Sequence, residues 1–495
     1  MKKMKNLSRF ACALSVLSAA LSCGKTPADD NSSMYLGDKL ITDQIRFSDG
    51  KQDIEGMEIG KEKGGKILFT GKQSLPKGTY QMNGWVYIGE GAELTIAPGT
   101  VIKGGEAAAL IVEQGGKLHA SGNADAPIVF TSLKEKGQRK PGDWGGIILC
   151  GRAENNGQSS MNIEGGVGSV HGGKDNEDSS GELQYVRIEF CGYPFMKDKE
   201  INGLTLGSVG SGTVIDHIQV SYSCDDSYEW FGGCVNAEYL VSFRTWDDDF
   251  DTDNGYSGNV RYGLAIRDSK IADGSQANCF ESDNDSNGSD LMPITKPLFQ
   301  NMTFVGPFVT DPAYKCEKSY IDGGGMMPSF GADVSVALGL HQAAMHIRRG
   351  SQLSCEKSVA LGFPVGIILD NEKGEGKTQS YATSGEMHIS DCIIALNESA
   401  SVLGSDANKV YEDYLVTAYK PEMTFDKSRE SFSSSYFKAA GNSNSVFVGW
   451  KDLVDATGYI PASGSPLLEK GIGAFDGKNN WLDKWTNFDP QNTDY

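Results

Sequence analysis

Basic side chains are the scarce ones in this chain. Lysine and arginine number 45 against 65 aspartates and glutamates, a formal charge of −20. Nucleic-acid binding rests on Lys and Arg neutralising phosphates, so the balance argues against that partner. It also disfavours polyanionic ligands unless a bound cation intervenes. Only six histidines occur. There is no G-x-S-x-G elbow, no H-E-x-x-H pair and no Walker A string, which leaves the corresponding nucleophile, zinc and phosphate chemistries without support. None of the ten cysteines forms a C-x-x-C pair, so the redox and zinc-ribbon patterns are missing too. Long helical periodicity is nearly absent. No stretch approaches the ~18 apolar residues of a transmembrane helix.

What is present begins with glycine, 62 of 495 residues, well above the usual ~7% and indicative of a folded, turn-rich chain. The amino terminus reads as a targeting segment over residues 1–22. Lys2, Lys3, Lys5 and Arg9 precede a short apolar run, Phe10 to Leu21, and "SAALSCGK" places small residues before Cys23. This pattern resembles a bacterial lipoprotein signal with lipid on Cys23, although Ala20 stands where such signals usually carry Leu. Residues 23–60 then form a polar tether, whose Asp29-Asp30 pair resembles the acidic surface-export signals of Bacteroidota lipoproteins. Eight cysteines remain, Cys150, Cys191, Cys224, Cys234, Cys279, Cys316, Cys355 and Cys392. Their scatter fits packed thiols, while export would permit disulfides.

Residues 61–470 carry a repeat. "HIQVSYSCDDSYEWFGG" from His217, "YLVSFRTWDDDFDTDNG" from Tyr239 and "YGLAIRD" from Tyr262 align at offsets of 22 and 23. "YVRIEF" from Tyr185 begins an earlier copy, and Leu94 and Leu118 mark a 24-residue offset further upstream. Short β-branched and aromatic strands recur between Gly, Asn and Asp turns. A period of this length is too short for propeller blades and lacks leucine-rich spacing. It predicts an all-β, right-handed parallel β-helix, in which stacked coils bury a common core. Residues 471–495, with "NNWLDKWTNFDP", are expected to cap the open C-terminal end.

Taken in order, "LTIAPGTVIKG", "APIVFTS", "PGDWGGIILCG", "NGLTLGSVGSGT", "WFGG", "WDDDFDTDNGYSG", "CFESDND" and "HIRRGS" resemble a family of exported, pectin-lyase-like β-helix proteins common in Bacteroidota. The resemblance runs from about Gly78 to Tyr495 and implies the fold. It implies no activity.

Equivalent residues of successive coils lie about 4.8 Å apart. The alignment therefore stacks Tyr228, Phe250 and Phe280 as a core ladder. It also stacks Glu229, Asp251 and Glu281, sets Asp226 and Asp248 in line with Asn278, and sets Asp253 over Asp283. Five of the seven residues from Asp247 to Asp253 are aspartates, Asp249 among them. A carboxylate column needs compensation. Two sources stand open: bound calcium, which prefers carboxylate and carbonyl oxygens, or acidic turns satisfied by their own backbone amides and water. Arg244 and Arg267 align 23 residues apart, and Arg348 lies in "HIRRGS". These arginines read as ion-pair partners of the acids, as ligand-binding groups, or as the base of a lyase. Trp230 and Trp246 read as core or as sugar-stacking platforms. The expectation is a calcium-stabilised surface lipoprotein that binds a glycan or other extracellular nutrient without catalysis. It would be held to the outer membrane by its lipid anchor alone and serve an uptake complex. A polysaccharide lyase or glycoside hydrolase on the same scaffold is the alternative, and a structural or adhesive envelope role the second.

Overall fold

The computed structural model describes residues 34–36, 39–40, 67–69, 71–157, 160–195, 200–311, 313–328, 337–371, 373–395, 461 and 466–495. The expected signal segment, Cys23 and nearly all of the tether lie outside the described residues.

The 22-residue period closes into a parallel β-helix. Each coil lends one short strand to a 12-stranded sheet and a bent strand or strand pair to a 17-stranded sheet. In the first sheet, strands step in parallel register from Ile67–Phe69 through Gly146–Cys150, Leu204–Val209, Tyr228–Gly233, Phe250–Asp253, Phe280–Ser282 and Ala343–Ile347 to Val365–Leu369. Alternation along each strand decides what is buried. Val86, Leu110, Ile147, Leu204, Tyr228, Phe250, Phe280, Met345 and Ile367 form one inward column. Tyr228 and Phe250 stack with centroids 5.4 Å apart, whereas Phe280 meets Phe250 edge-on at 6.1 Å.

In the second sheet the bend falls on the residue that opens each repeat. Tyr185, His217, Tyr239 and Tyr262 have φ of 51°, 55°, 57° and 60°, a left-handed conformation that costs an L-residue about 1–2 kcal/mol. Stacking offsets that cost. The four rings form an outer ladder with centroid steps of 4.3, 4.4 and 5.0 Å.

The C-terminal residues do not cover the end of the solenoid as expected. They run back along the outside of the 17-stranded sheet. The Gly473 amide bonds to Lys357, Asn487 exchanges hydrogen bonds with Gln219, and Arg139 donates to the Pro490 and Thr493 carbonyls. Trp481 and Trp485 close over His217, at 6.3 and 5.5 Å. The reason is a vacancy in the side wall: the aromatic ladder is an apolar outer surface, and the tail's tryptophans bury it. All eight cysteines are free thiols, six buried and two half-buried.

A candidate cation centre and its adjoining cleft

The outward column of the 12-stranded sheet changes character along the helix. Tyr87, Ile111 and Ile148 are followed in register by Thr205, Glu229, Asp251, Glu281 and His346. The apolar stretch is covered by an inserted hairpin, Met161–Asn162 with Val170–His171, whose Ile163 and Val167 join it in one cluster. The acidic stretch begins where that cover stops.

The column divides into two electrostatic halves. At its C-terminal end the carboxylates face cations. Arg348 Nε lies 2.8 Å from Asp283, and Arg348 also binds Glu281. Arg349 reaches Asp283 at 2.5 Å, and His346 sits 3.5 Å from Glu281 and 3.3 Å from Asp370. Burial works to raise the Glu281 carboxyl, but Arg348 and His346 hold it below its ordinary range.

The other half has no ion pair among the described residues and faces mostly more acid, with Asn202 donating to Glu229 and Ser275 to Asp247. Carboxylate oxygens of Asp225, Asp226 and Asp247 come within 4.8 Å of one another, as do those of Asp226, Glu229 and Asp251. Burial pushes Asp225, Asp226 and Glu229 well up, and their charged neighbours push further: Asp247 and Glu200 on Asp225, Asp225 and Asp248 on Asp226, Glu164 and Asp251 on Glu229. Asp247 rises to about 8, first by burial and then through Asp273. Three oxygens in this half are buried without a hydrogen-bond partner: Asp247 Oδ1, Asp251 Oδ1 and Thr205 Oγ1, the last on a side chain only 1% exposed. Unsatisfied buried oxygen atoms among repelling carboxylates suit a hard divalent cation such as calcium, and the lack of nitrogen and sulfur donors argues against zinc.

The turns satisfy part of their own charge. Asp226 Oδ1 accepts the Asp248 amide at 2.7 Å, and Asp248 accepts the Asn278 amide one coil on. Of the two sources of compensation foreseen from the sequence, the backbone amides act here, on the Oδ1 atoms of Asp226 and Asp248.

Other expected site residues fall elsewhere. Asp249 turns inward, fully buried 3.3 Å from Arg267, and accepts hydrogen bonds from Ser242 and Cys279. Neither Asp249 nor Arg267 can reach a ligand, a correction forced by the odd residue of the corner pointing into the core. Arg244 follows the other sheet, pairing with Asp268 at 3.5 Å and donating to the Tyr222 hydroxyl. Trp230 and Trp246 are wholly buried in two separate core clusters. Trp230 stands two residues after inward Tyr228, so alternation places it inside as well, and neither ring is a platform. Asp253 lies one step beyond Thr252, in register with Phe231. It rises to about 7 by burial and through Asp283, with Arg349 opposing. Sequence reading passed over Thr205, Asn202, Glu164 and Glu200, which reach the column from an earlier coil and from insertions outside the repeat.

A cleft of about 430 Å³ opens beside this half, between the hairpin and Phe231. The hairpin seats on Gly207, where a Cβ would meet Ile163 Cδ1 at 2.6 Å and His171 Cγ at 2.7 Å. Glu164, on the hairpin turn, lines the cleft and hydrogen-bonds Glu229, so cleft and acidic column share a wall.

Stacked parallel coils with an acidic outer column define a β-solenoid protein with a candidate site on one face. The chain matches the family described as Pectate-lyase like beta helix domain over residues 69–446, and it belongs to that family. No curated protein and no solved structure matches it.

Proposed function

We propose that this face binds calcium through Asp226, Glu229 and Asp251, with Asp225 and Asp247 beside them, and that the protein is a non-catalytic receptor for an extracellular glycan. The observation that carries the reading is the uncompensated half of the acidic column, with its buried, partnerless oxygens. The cleft alongside offers the ligand a place. A lyase needs a neutral base near the cation, and Arg348 is the wrong group: its carboxylate partners hold it far above the ordinary guanidinium range, so it keeps its proton. A lipid on Cys23 would tether the solenoid to the outer membrane, where captured glycan passes to an uptake complex; the "SAALSCGK" segment supports that placement.

One observation favours a hydrolase as second reading. Glu164 is raised to about 7, by burial and then by Glu200, the range of a general acid, and it hydrogen-bonds a second carboxyl, Glu229.

Thermal unfolding in chelator and then in calcium tests the first reading. Ligand at a hundred times its Kd stabilises by about 2.7 kcal/mol, so Tm is expected to fall by a few degrees in chelator and recover with calcium. An unchanged Tm sinks the calcium site. Incubation with pectin and with neutral polysaccharides is expected to yield neither unsaturated uronate absorbance nor new reducing ends; either product overturns the receptor reading.

A further inference from the structure

The cleft between the hairpin and Phe231 has its own ligand chemistry. Its volume of about 430 Å³ falls within the ~300–1,000 Å³ of small-molecule sites. One side is apolar, made by half-buried Phe231 with Met161 and Ile163. The other is polar, made by Asn162, Asn254 and Glu164. The amide side chains of Asn162 and Asn254 make no hydrogen bond among the described residues. His171, 1% exposed, also lines the cleft, with its Nδ1 2.9 Å from Ser208 Oγ. Burial holds this imidazole down at about 4, so it is neutral near pH 7. No lysine or arginine is among the lining residues.

We infer that the cleft holds one sugar ring bearing no carboxylate, its C–H face against Phe231 and its hydroxyls on Asn162, Asn254 and Glu164. The inference deepens the glycan-receptor reading and rests on it. A wholly apolar ligand would leave the two amides unpaired. A uronate would bring a carboxylate against Glu164 in a lining that holds no guanidinium or ammonium and none of the proposed calcium ligands Asp226, Glu229 and Asp251, and acid set against acid at close range rejects it. A neutral or amino sugar satisfies both walls.

The test is calorimetric titration of the full chain in calcium with neutral, amino and uronate oligosaccharides. At least one neutral or amino sugar is expected to bind, with uronates at least about tenfold weaker. Phe231→Ala, and independently Asn254→Gly, which keeps the left-handed backbone at φ 54°, should each weaken binding by about tenfold or more. Both variants should retain the wild-type Tm response to calcium, which shows that fold and cation site survive. Uronates binding as tightly as neutral sugars, or full affinity in both variants, overturns the inference and leaves the receptor reading standing. Binding of no probe by the wild type overturns both.

Discussion

Arg267 and Asp249 are both fully buried, 3.3 Å apart, and Arg267 also donates to the Asp247 carbonyl at 2.6 Å. Removing one partner leaves a dry, unpaired charge. Arg267→Met should therefore destabilise by roughly 3–5 kcal/mol, and Arg267→Met with Asp249→Leu should recover part of it, because apolar replacement of a buried pair is often tolerated. Denaturant unfolding of the three proteins checks this; a double variant no better than the single one contradicts it. The acidic column makes an opposite demand. Asp253 and Glu164, raised to about 7, and Asp247, raised to about 8, hold protons in the folded protein that the unfolded chain releases near pH 4. Folded-state proton uptake means that stability falls as pH rises through about 4 to 8. His171 opposes this, since its depressed value costs stability as pH drops below about 6.5; several carboxyls outweigh one imidazole. In chelator, Tm should be higher at pH 5 than at pH 8, and calcium should flatten the slope by replacing the protons. A flat profile in chelator would mean that the acids are compensated already. At this scale the sequence alignment placed Glu229, Asp251 and Glu281 in one column, which the register bears out. It could not see that Asp249 turns inward, because period-two alternation fails at a corner.

The hairpin from Met161 to His171 is the element that turns an acidic column into a walled site. It depends on one residue of another strand. Gly207 stands in register between Cys150 and Phe231 on the outer face, and any side chain there strikes Ile163 and His171. Gly207→Val should lift the hairpin, expose the apolar cluster beneath it and cost roughly 1–3 kcal/mol, as overpacking does. Glycan binding should drop with it, while Asp226 and Asp251, on unaltered turns and strands, still respond to calcium. Loss of the calcium response together with binding would show instead that the hairpin completes the cation site. None of this element was legible in the sequence. The hairpin lies outside the repeat, its strands are two residues each, and "NGLTLGSVGSGT" marks Gly207 only as one glycine among several.

Across the whole molecule, stability runs from coil to coil, and the tail is the exception that spans many of them. It links Lys357 and Asn301 near one end to Lys103 and Arg139 near the other, and its final Tyr495 donates to wholly buried Glu189 at 2.6 Å. Leu482, Trp485 and Phe488 are buried against the aromatic side wall, each contributing about 1.5–3 kcal/mol. Truncation after Lys470 should lower Tm markedly and expose the Tyr185–Tyr262 ladder to dye binding and proteolysis. A truncated chain that melts like the full one would reduce the tail to decoration.

The 22-residue period, the alternation of apolar and polar residues and the turn glycines determined the parallel β-helix from sequence alone, because stacking repeats the same local geometry in every coil. The same regularity put Tyr228, Phe250 and Phe280 in one ladder and the acids in another. Only the tertiary structure decided which acids meet Arg348 and Arg349, which are left without a counter-charge, and where the cleft opens. Those contacts join residues far apart in the chain, through insertions and a returning tail that obey no period, so no local pattern could specify them.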